Sequence, residues 1–371
     1  MLSLVVFLLR LYHRIVVCVL INIGEMYLPM LMMKKILIED INSFLENFSL
    51  KADVNCSSIL VTGGTGLIGS VLVKCLLGLN VDVRITLPVR SLEKAKTIYG
   101  SNLEKLHLIE CDLTRYLETM DEQFDYIVHL ASPTEGKYMV EHPVETYSLA
   151  MDSTKLILEY CQRNKVKSLV YVSSLEYYGQ NSDDSVIKED FLGYIDATSP
   201  RSCYPLGKRA AEYLCTAYAA EYDVPVKIAR LTQTFGAGVS AEDNRVFAQF
   251  ARSIIEGRNI VMHTKGESAK PYCYTTDCVS AILYILLRGK NGEAYNVANQ
   301  DTYISIKDMA LFLKKNFNPH IDVIVEEHPE MGYAPITKLN LSAEKLMNLG
   351  WKPRYDLRQM FEHLIKALKE K

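Results

Sequence analysis

A doubly wound α/β fold is predicted by three features of this sequence: a parallel sheet with helices on both faces and a smaller lobe behind it. Short apolar runs at 59–61, 83–87, 106–109, 125–130, 168–173 and 226–231 alternate with longer stretches of helical periodicity. A glycine-rich turn, Gly63-Gly64-Thr65-Gly66-Leu67-Ile68-Gly69, joins the first run to the first helix. Beyond residue 232 the alternation loosens into a small mixed lobe, with a strand at 295–298 and helices near 305–316 and 342–349. Right-handed crossovers then give a sheet of seven strands in the order 3-2-1-4-5-6-7.

The run at 59–61 is short and wholly apolar, as a strand buried on both faces requires. The glycines after it have a physical purpose. A Cβ in the turn would keep the backbone away from a pyrophosphate, and one at Gly69 would hold the helix off the strand. The helix N-terminus then offers free N–H groups and the positive end of its dipole to phosphates. Gly63, Gly66, Leu67, Ile68 and Gly69 are therefore candidate dinucleotide contacts in a Rossmann-type arrangement. The expected organisation is an apolar extension at 1–32, a leader helix within 33–57 and a dinucleotide-binding domain at 58–232. A mainly substrate-binding lobe fills 233–371, with 272–288 returning to the main sheet.

The second strand ends in Leu87-Pro88-Val89-Arg90, with Lys94 and Lys96 behind it. An acidic residue at this place would accept from the ribose 2′-OH of NAD. Arg90 can instead pair the 2′-phosphate of NADP, and the same cluster also reads as a solvated helix start. NAD and NADP both stay open, with a tilt towards NADP. The third strand leads into Cys111-Asp112-Leu113, where Asp112 can accept from an adenine amino group while Leu113 covers the ring. His129-Leu130-Ala131-Ser132 closes the fourth strand, and small residues there let a cofactor lie close to the backbone. Leu130, Ala131 and Ser132 join the cofactor contacts; His129 is read as a core side chain.

The fifth strand runs into Ser173-Ser174-Leu175-Glu176, and a later helix opens at Ser199-Pro200-Arg201-Ser202-Cys203-Tyr204. Tyr204 and Lys208 are four residues apart, on one helical face, so both can point at one ligand. A phenol of pKa about 10 is a poor base at neutral pH. A neighbouring ammonium and an oxidised nicotinamide both favour the phenolate and bring its pKa down. Ser174 can hold a substrate oxygen while Tyr204 takes its proton, and Lys208 can also hold the nicotinamide ribose.

The formal charge of −3 over 371 residues gives no reason to expect a nucleic-acid partner. Nine scattered cysteines without a CxxC pair read as reduced thiols in a cytoplasmic protein, with no metal site. In the first 32 residues Arg10, His13 and Arg14 interrupt the apolar runs. A spanning helix needs about twenty apolar residues, and a central arginine costs roughly 2.5–3.5 kcal/mol on insertion. Those three residues share a face, which suits an interfacial anchor. Met32-Met33-Lys34-Lys35 reads better as a natural start followed by an amphipathic leader helix at 36–48. No membrane association is expected.

From about residue 58 onward the chain resembles the extended short-chain dehydrogenase/reductase family, the NAD-dependent epimerases and dehydratases that modify nucleotide sugars. The glycine turn, Asp112-Leu113, His129-Leu130-Ala131-Ser132, Ser173-Ser174, Tyr204 with Lys208, 230–236 and Leu349-Gly350-Trp351-Lys352-Pro353 carry the resemblance. Pro200-Arg201-Ser202-Cys203-Tyr204 with Gly207-Lys208-Arg209, and Thr234-Phe235-Gly236, are similar to UDP-glucuronate decarboxylases.

What the resemblance implies is a nucleotide-sugar substrate, a homodimer and a shared opening step. Tyr204 removes the C4 hydroxyl proton as C4 is oxidised, giving a 4-keto sugar. Glu176 matches a glutamate shared by dehydratases and decarboxylases, while Leu175 stands where dehydratases carry an acid. Gln233, Arg245 and Lys270 are the implied substrate contacts. Lys270 replaces a usual arginine, which keeps the charge and loses the bidentate fork. Three readings follow. The first is a decarboxylase or 4-epimerase serving surface-polysaccharide precursors. The second is a one-way NADP-dependent reductase of a keto sugar or related carbonyl, and the third a non-catalytic dinucleotide sensor or scaffold.

Overall fold

Fourteen strands are distributed over one large sheet and three small ones in the computed structural model, which describes residues 34–133, 135–327 and 336–370. The extension at 1–32 lies outside the described residues. In chain order the strands are β1 (Ser57–Thr62), β2 (Val83–Val89), β3 (Leu106–Glu110), β4 (Tyr126–His129), β5 (Ser168–Ser174), β6 (Val186–Ile187) and β7 (Val226–Leu231). They continue as β8 (Gln233–Phe235), β9 (Ile260–Met262), β10 (Ala269–Tyr274), β11 (Ala294–Val297), β12 (Asn299–Ser305), β13 (Val323–Val325) and β14 (Asn340–Leu341). Seven of them form one parallel sheet in the order β11-β7-β5-β4-β1-β2-β3, which is the expected 3-2-1-4-5-6-7 with β1 central.

Alternation along β1 feeds two layers. Ile59 and Val61 join a core shared with helices α1 (Lys35–Asn47), α2 (Leu67–Gly78) and, later in the chain, Thr275–Arg288. Leu60 faces the opposite core, shared with Pro143–Arg163 and Cys203–Tyr222. The lobe has its own core, in which Phe235 stacks on Phe247 at 4.6 Å and meets Phe361 at 4.9 Å.

The sheet's last strand differs from expectation. The sequence places 272–288 back on the main sheet, and 295–298 in the lobe. Instead β11 closes the main sheet against β7, and β10 pairs with β8 and β12 in a separate three-stranded sheet. Thr232, between β7 and β8, donates to the Pro271 carbonyl at 2.5 Å, tying the departing chain to β10. Pro271 has no N–H to give, and the β10–β12 register shifts between Lys270 and Tyr272. Only helix Thr275–Arg288 returns to pack on the large sheet.

The leader helix is part of the fold. Ile36, Leu37, Ile41 and Phe44 are buried on its inner face, and Asp40 is buried with them. Its first N–H groups are met from the far end of the chain, where Glu370 Oε2 accepts from Lys35 N at 2.6 Å. Among the described residues no helix is long and apolar enough to cross a membrane.

Candidate active site

The glycine turn brings two segments into backbone contact. Gly63 has φ +73°, and a Cβ on it would lie 2.9 Å from the Ala131 nitrogen. A Cβ on Gly69 would run into the Gly63 carbonyl, so α2 packs on the turn only because that position is glycine. Gly66 is the N-cap of α2 and brings no side-chain oxygen, leaving first-turn N–H groups to be met by a ligand. Leu130 and Ala131 lie directly against Gly63. Ser132 Oγ is buried without a hydrogen-bond partner among the described residues. A cradle closed to any Cβ, an uncapped helix start and an orphaned hydroxyl beside them fit a bound dinucleotide.

At the rim the candidates have additional, local roles. Asp112 Oδ1 accepts from Arg115 N at 3.1 Å and caps the helix Leu113–Thr119. Leu113 packs partly into the core below. Arg90 is exposed just past β2, with Lys94 and Lys96 exposed on the helix that follows. Ser91 caps that helix through Lys94 N at 3.2 Å, and Glu110 Oε1 accepts from Leu92 N at 3.0 Å. The basic cluster is therefore a well-formed helix start whatever else it binds.

Ser174 ends β5 and opens a single 3₁₀ turn, Leu175–Tyr178, its hydroxyl accepting from Glu176 N at 3.2 Å. Tyr204 and Lys208 lie on the first turns of helix Cys203–Tyr222, with Lys208 Nζ 5.6 Å from the Tyr204 ring centroid. Lys208 Nζ donates to the Val172 carbonyl at 2.9 Å. Burial lowers its pKa to about 8, against the opposing charges of Glu212 and Glu176. The phenol goes the other way. Burial, then Glu176, push the Tyr204 pKa up, and the hydrogen bond from Ser174 and the Arg201 charge oppose them. In this chain alone the ammonium of Lys208 does not make Tyr204 the low-pKa phenol expected from its spacing.

His129 has both ring nitrogens engaged, Nδ1 with Thr62 Oγ1 at 2.6 Å and Nε2 with Ser153 Oγ at 3.2 Å. Burial, with Lys208 nearby, depresses its pKa to about 3. It is a neutral core side chain that holds β4 to β1.

The substrate candidates divide. Lys270 on β10 and Gln233 on β8 share the small sheet, where Tyr272 pairs with Gln233. Burial pulls the Lys270 pKa down, and the charge that opposes this is Glu176. Arg245 is engaged elsewhere. Its guanidinium grips Asp243 and lies 4.8 Å from the Phe247 ring, at the start of helix Val246–Glu256.

Three features escaped sequence reasoning. Arg201 Nη2 donates to Glu176 Oε1 at 2.9 Å, and its guanidinium carbon lies 5.9 Å from the Tyr204 ring. Tyr99 donates to the Gly64 carbonyl at 2.5 Å and braces the glycine turn from below. Glu212 and Arg230 form a buried ion pair at 2.8 Å, and Arg230 also stacks 3.5 Å from the Tyr177 ring. Glu212 had a signal, since it continues the 204–208 spacing by one more turn. Arg201 lay in a motif that carried the family resemblance, but its pairing with Glu176, like that of Tyr99 with Gly64, had no signal, because the partners are remote in sequence.

A model of the NAD dependent epimerase/dehydratase family matches residues 59–298. Among curated relatives, UDP-glucuronic acid decarboxylase 3 of Arabidopsis thaliana is 29% identical over 308 residues, covering 81% of this chain and 86% of its own. UDP-glucuronic acid decarboxylase 1 of Danio rerio is 27% identical over 299 residues, 80% of this chain and 68% of its own. Two solved structures share the fold. The UDP-glucose 4-epimerase of Thermotoga maritima, solved with UDP-glucose, has a TM-score of 0.71 at 21% identity, covering 84% of this chain and 99% of its own. The dTDP-glucose 4,6-dehydratase of Bacillus anthracis, in complex with NAD, has a TM-score of 0.69 at 21% identity, over 85% of this chain and 97% of its own.

Proposed function

The chain belongs to the NAD dependent epimerase/dehydratase family, and from that premise we propose that it oxidises C4 of a nucleotide-linked sugar and decarboxylates a uronic acid substrate. The observation that carries the reading is the meeting of Ser174, Glu176, Arg201, Tyr204 and Lys208 at the carboxyl end of β5, the same edge of the parallel sheet from which the glycine turn leaves β1. Open α/β sheets bind their ligands at this edge. The curated relatives quoted above are named as UDP-glucuronic acid decarboxylases, which supports the substrate class.

Gly63, Gly66, Leu67, Ile68, Gly69, Leu130, Ala131 and Ser132 would hold the dinucleotide, with Asp112 and Leu113 at its adenine. A nicotinamide bound there would supply the acceptor, and later the donor, of the C4 hydride. Tyr204 takes the C4 hydroxyl proton, and Ser174 orients the oxygen that loses it. Burial keeps this phenol's pKa high; the positive charge that an oxidised nicotinamide would add to that of Lys208 favours the phenolate and so lets Tyr204 act as a base. The resulting 4-keto uronic acid is a β-keto acid, which loses carbon dioxide and leaves its electron pair in the C4–C5 enolate. Glu176 relays a proton from solvent to C5, in place of the carbon dioxide lost. Tyr204 then returns its proton to the C4 oxygen as the ketone is reduced. Leu175 offers no second acid, which argues against elimination of water.

A 4-epimerase uses the same opening step and needs no Glu176 chemistry. An NADP-dependent reductase is the alternative that exposed Arg90 supports. The exposed apolar side chains Val144, Tyr147 and Tyr213, on helices Pro143–Arg163 and Cys203–Tyr222, support a homodimer through that face. A cytoplasmic role in surface-polysaccharide precursor synthesis completes the reading. The test is incubation with NAD and a panel of nucleotide sugars, followed by mass and NMR analysis. A pentose product and carbon dioxide from UDP-glucuronate are expected; conversion of neutral hexoses alone would replace the decarboxylase reading with the epimerase one.

A further inference from the structure

Three charges face one another at the mouth of the site, and they do not sum to zero. Glu176 carries one negative charge. Arg201 holds it through Nη2 at 2.9 Å, and Lys270 acts on it electrostatically from β10. Deeper in the protein Arg230 is paired with Glu212 at 2.8 Å, while Lys208 donates to the neutral Val172 carbonyl at 2.9 Å and adds a further cation. At least one positive charge is therefore in excess at the mouth, which favours one more carboxylate.

Arg201 has the chemistry to receive it. A guanidinium presents a planar fork of donors that matches a carboxylate bidentately, whereas an ammonium is a point charge. Among the described residues Glu176 is its hydrogen-bonding partner, through one nitrogen and one oxygen, so most of the fork is unused. The side chains of Arg201 and Glu176 are 41% and 37% exposed, which leaves the pair open to a ligand. With the guanidinium carbon 5.9 Å from the Tyr204 ring, a single sugar residue can reach both. We infer that Arg201 is the specificity-determining residue of this site, exchanging Glu176 for the carboxylate of a nucleotide-linked uronic acid. Lys270 is the cation left to receive Glu176.

The inference rests on the reaction proposed above and deepens it. A neutral hexose has no anion to compete for Arg201, so Glu176 stays held and its proton transfer is withheld. A uronic acid releases the group that its own decarboxylation uses. Selection of the substrate and release of the proton relay are then one event.

The test measures binding of UDP-glucuronate, UDP-glucose and UDP to the full chain saturated with NAD, in wild type, Arg201→Met, Arg201→Lys and Lys270→Met. Wild type should favour the uronate. Arg201→Met should weaken UDP-glucuronate about tenfold or more while UDP-glucose and UDP change about twofold or less, the scale of one lost charged hydrogen-bond pair. Arg201→Lys should restore part of the preference, and thermal melts establish that each variant is folded. The inference is overturned if wild type shows no preference for the uronate. It is also overturned if Arg201→Met weakens all three ligands alike, or if Lys270→Met abolishes the preference while Arg201→Met keeps it. Selective uronate binding through Arg201 without any turnover would leave the inference standing and remove the proposed reaction instead.

Discussion

Asp40 and His363 are joined at 2.7 Å across 323 positions of sequence, carboxylate to Nδ1. The same carboxylate receives the hydroxyls of Tyr274, at the end of β10, and Tyr355. Tyr274 in turn accepts from Ala237 N at 3.3 Å, in the loop after β8. The leader helix is thus pinned to the last helix and, through β10, to a loop of the lobe. Asp40→Ala should cost about 3–5 kcal/mol, the range for breaking a buried charged network, with Asp40→Asn losing less. Urea unfolding measures both. A protein beginning at Met33 should keep its stability and activity, whereas one beginning after Phe48 should lose the fold, because it removes Ile36, Leu37, Ile41 and Phe44 from the core.

Tyr204→Phe keeps the ring and removes the proton carrier. Turnover should fall by about 10²–10⁴, the usual contribution of a positioned acid–base group, while NAD binding persists. Glu176→Gln should behave differently, forming the 4-keto sugar but converting it slowly. Rapid-quench product analysis separates the two. A Glu176→Gln enzyme that matches wild type on every substrate would favour plain 4-epimerisation.

Acid should act on this fold partly through His129. Its pKa lies at about 3 in the folded protein, against roughly 6.5 when unfolded. Below 6.5 the unfolded chain takes up a proton that the folded chain does not, so stability is fully present above 6.5 and is lost as pH falls towards 3. The slope from this one group is about 1.4 kcal/mol per pH unit within that window. Stability of His129→Asn, measured between pH 7 and pH 4, should be lower at pH 7 and less steep than wild type. Equal slopes would assign the acid response to other groups.

Arg90 carries the expectation about the cofactor's ribose. Exposed beyond β2, it should make NADP bind at least as well as NAD, and Arg90→Ala should weaken NADP about tenfold, the loss of one charged pairing, without changing NAD. Equilibrium titration with both cofactors decides it. Much tighter NAD binding that the substitution leaves unchanged would reduce the cluster to the helix start capped by Ser91.

Features legible in the sequence are those whose geometry is set within a few residues. The Gly63–Gly69 turn, the Tyr204–Lys208 spacing and the alternating strands follow from backbone sterics and helical pitch, which hold wherever the segment lies. Family resemblance extended this to Glu176 and Lys270. The tertiary structure decided everything that depends on which surfaces meet. It moved β10 out of the main sheet and β11 into it, because Pro271 and the chain's departure at Thr232 act through long-range pairing. It gave Arg201 to Glu176 and Asp40 to His363. It also reversed the expected direction of the Tyr204 pKa, since burial depends on the whole fold, whereas the helical spacing fixes only which side chains share a face.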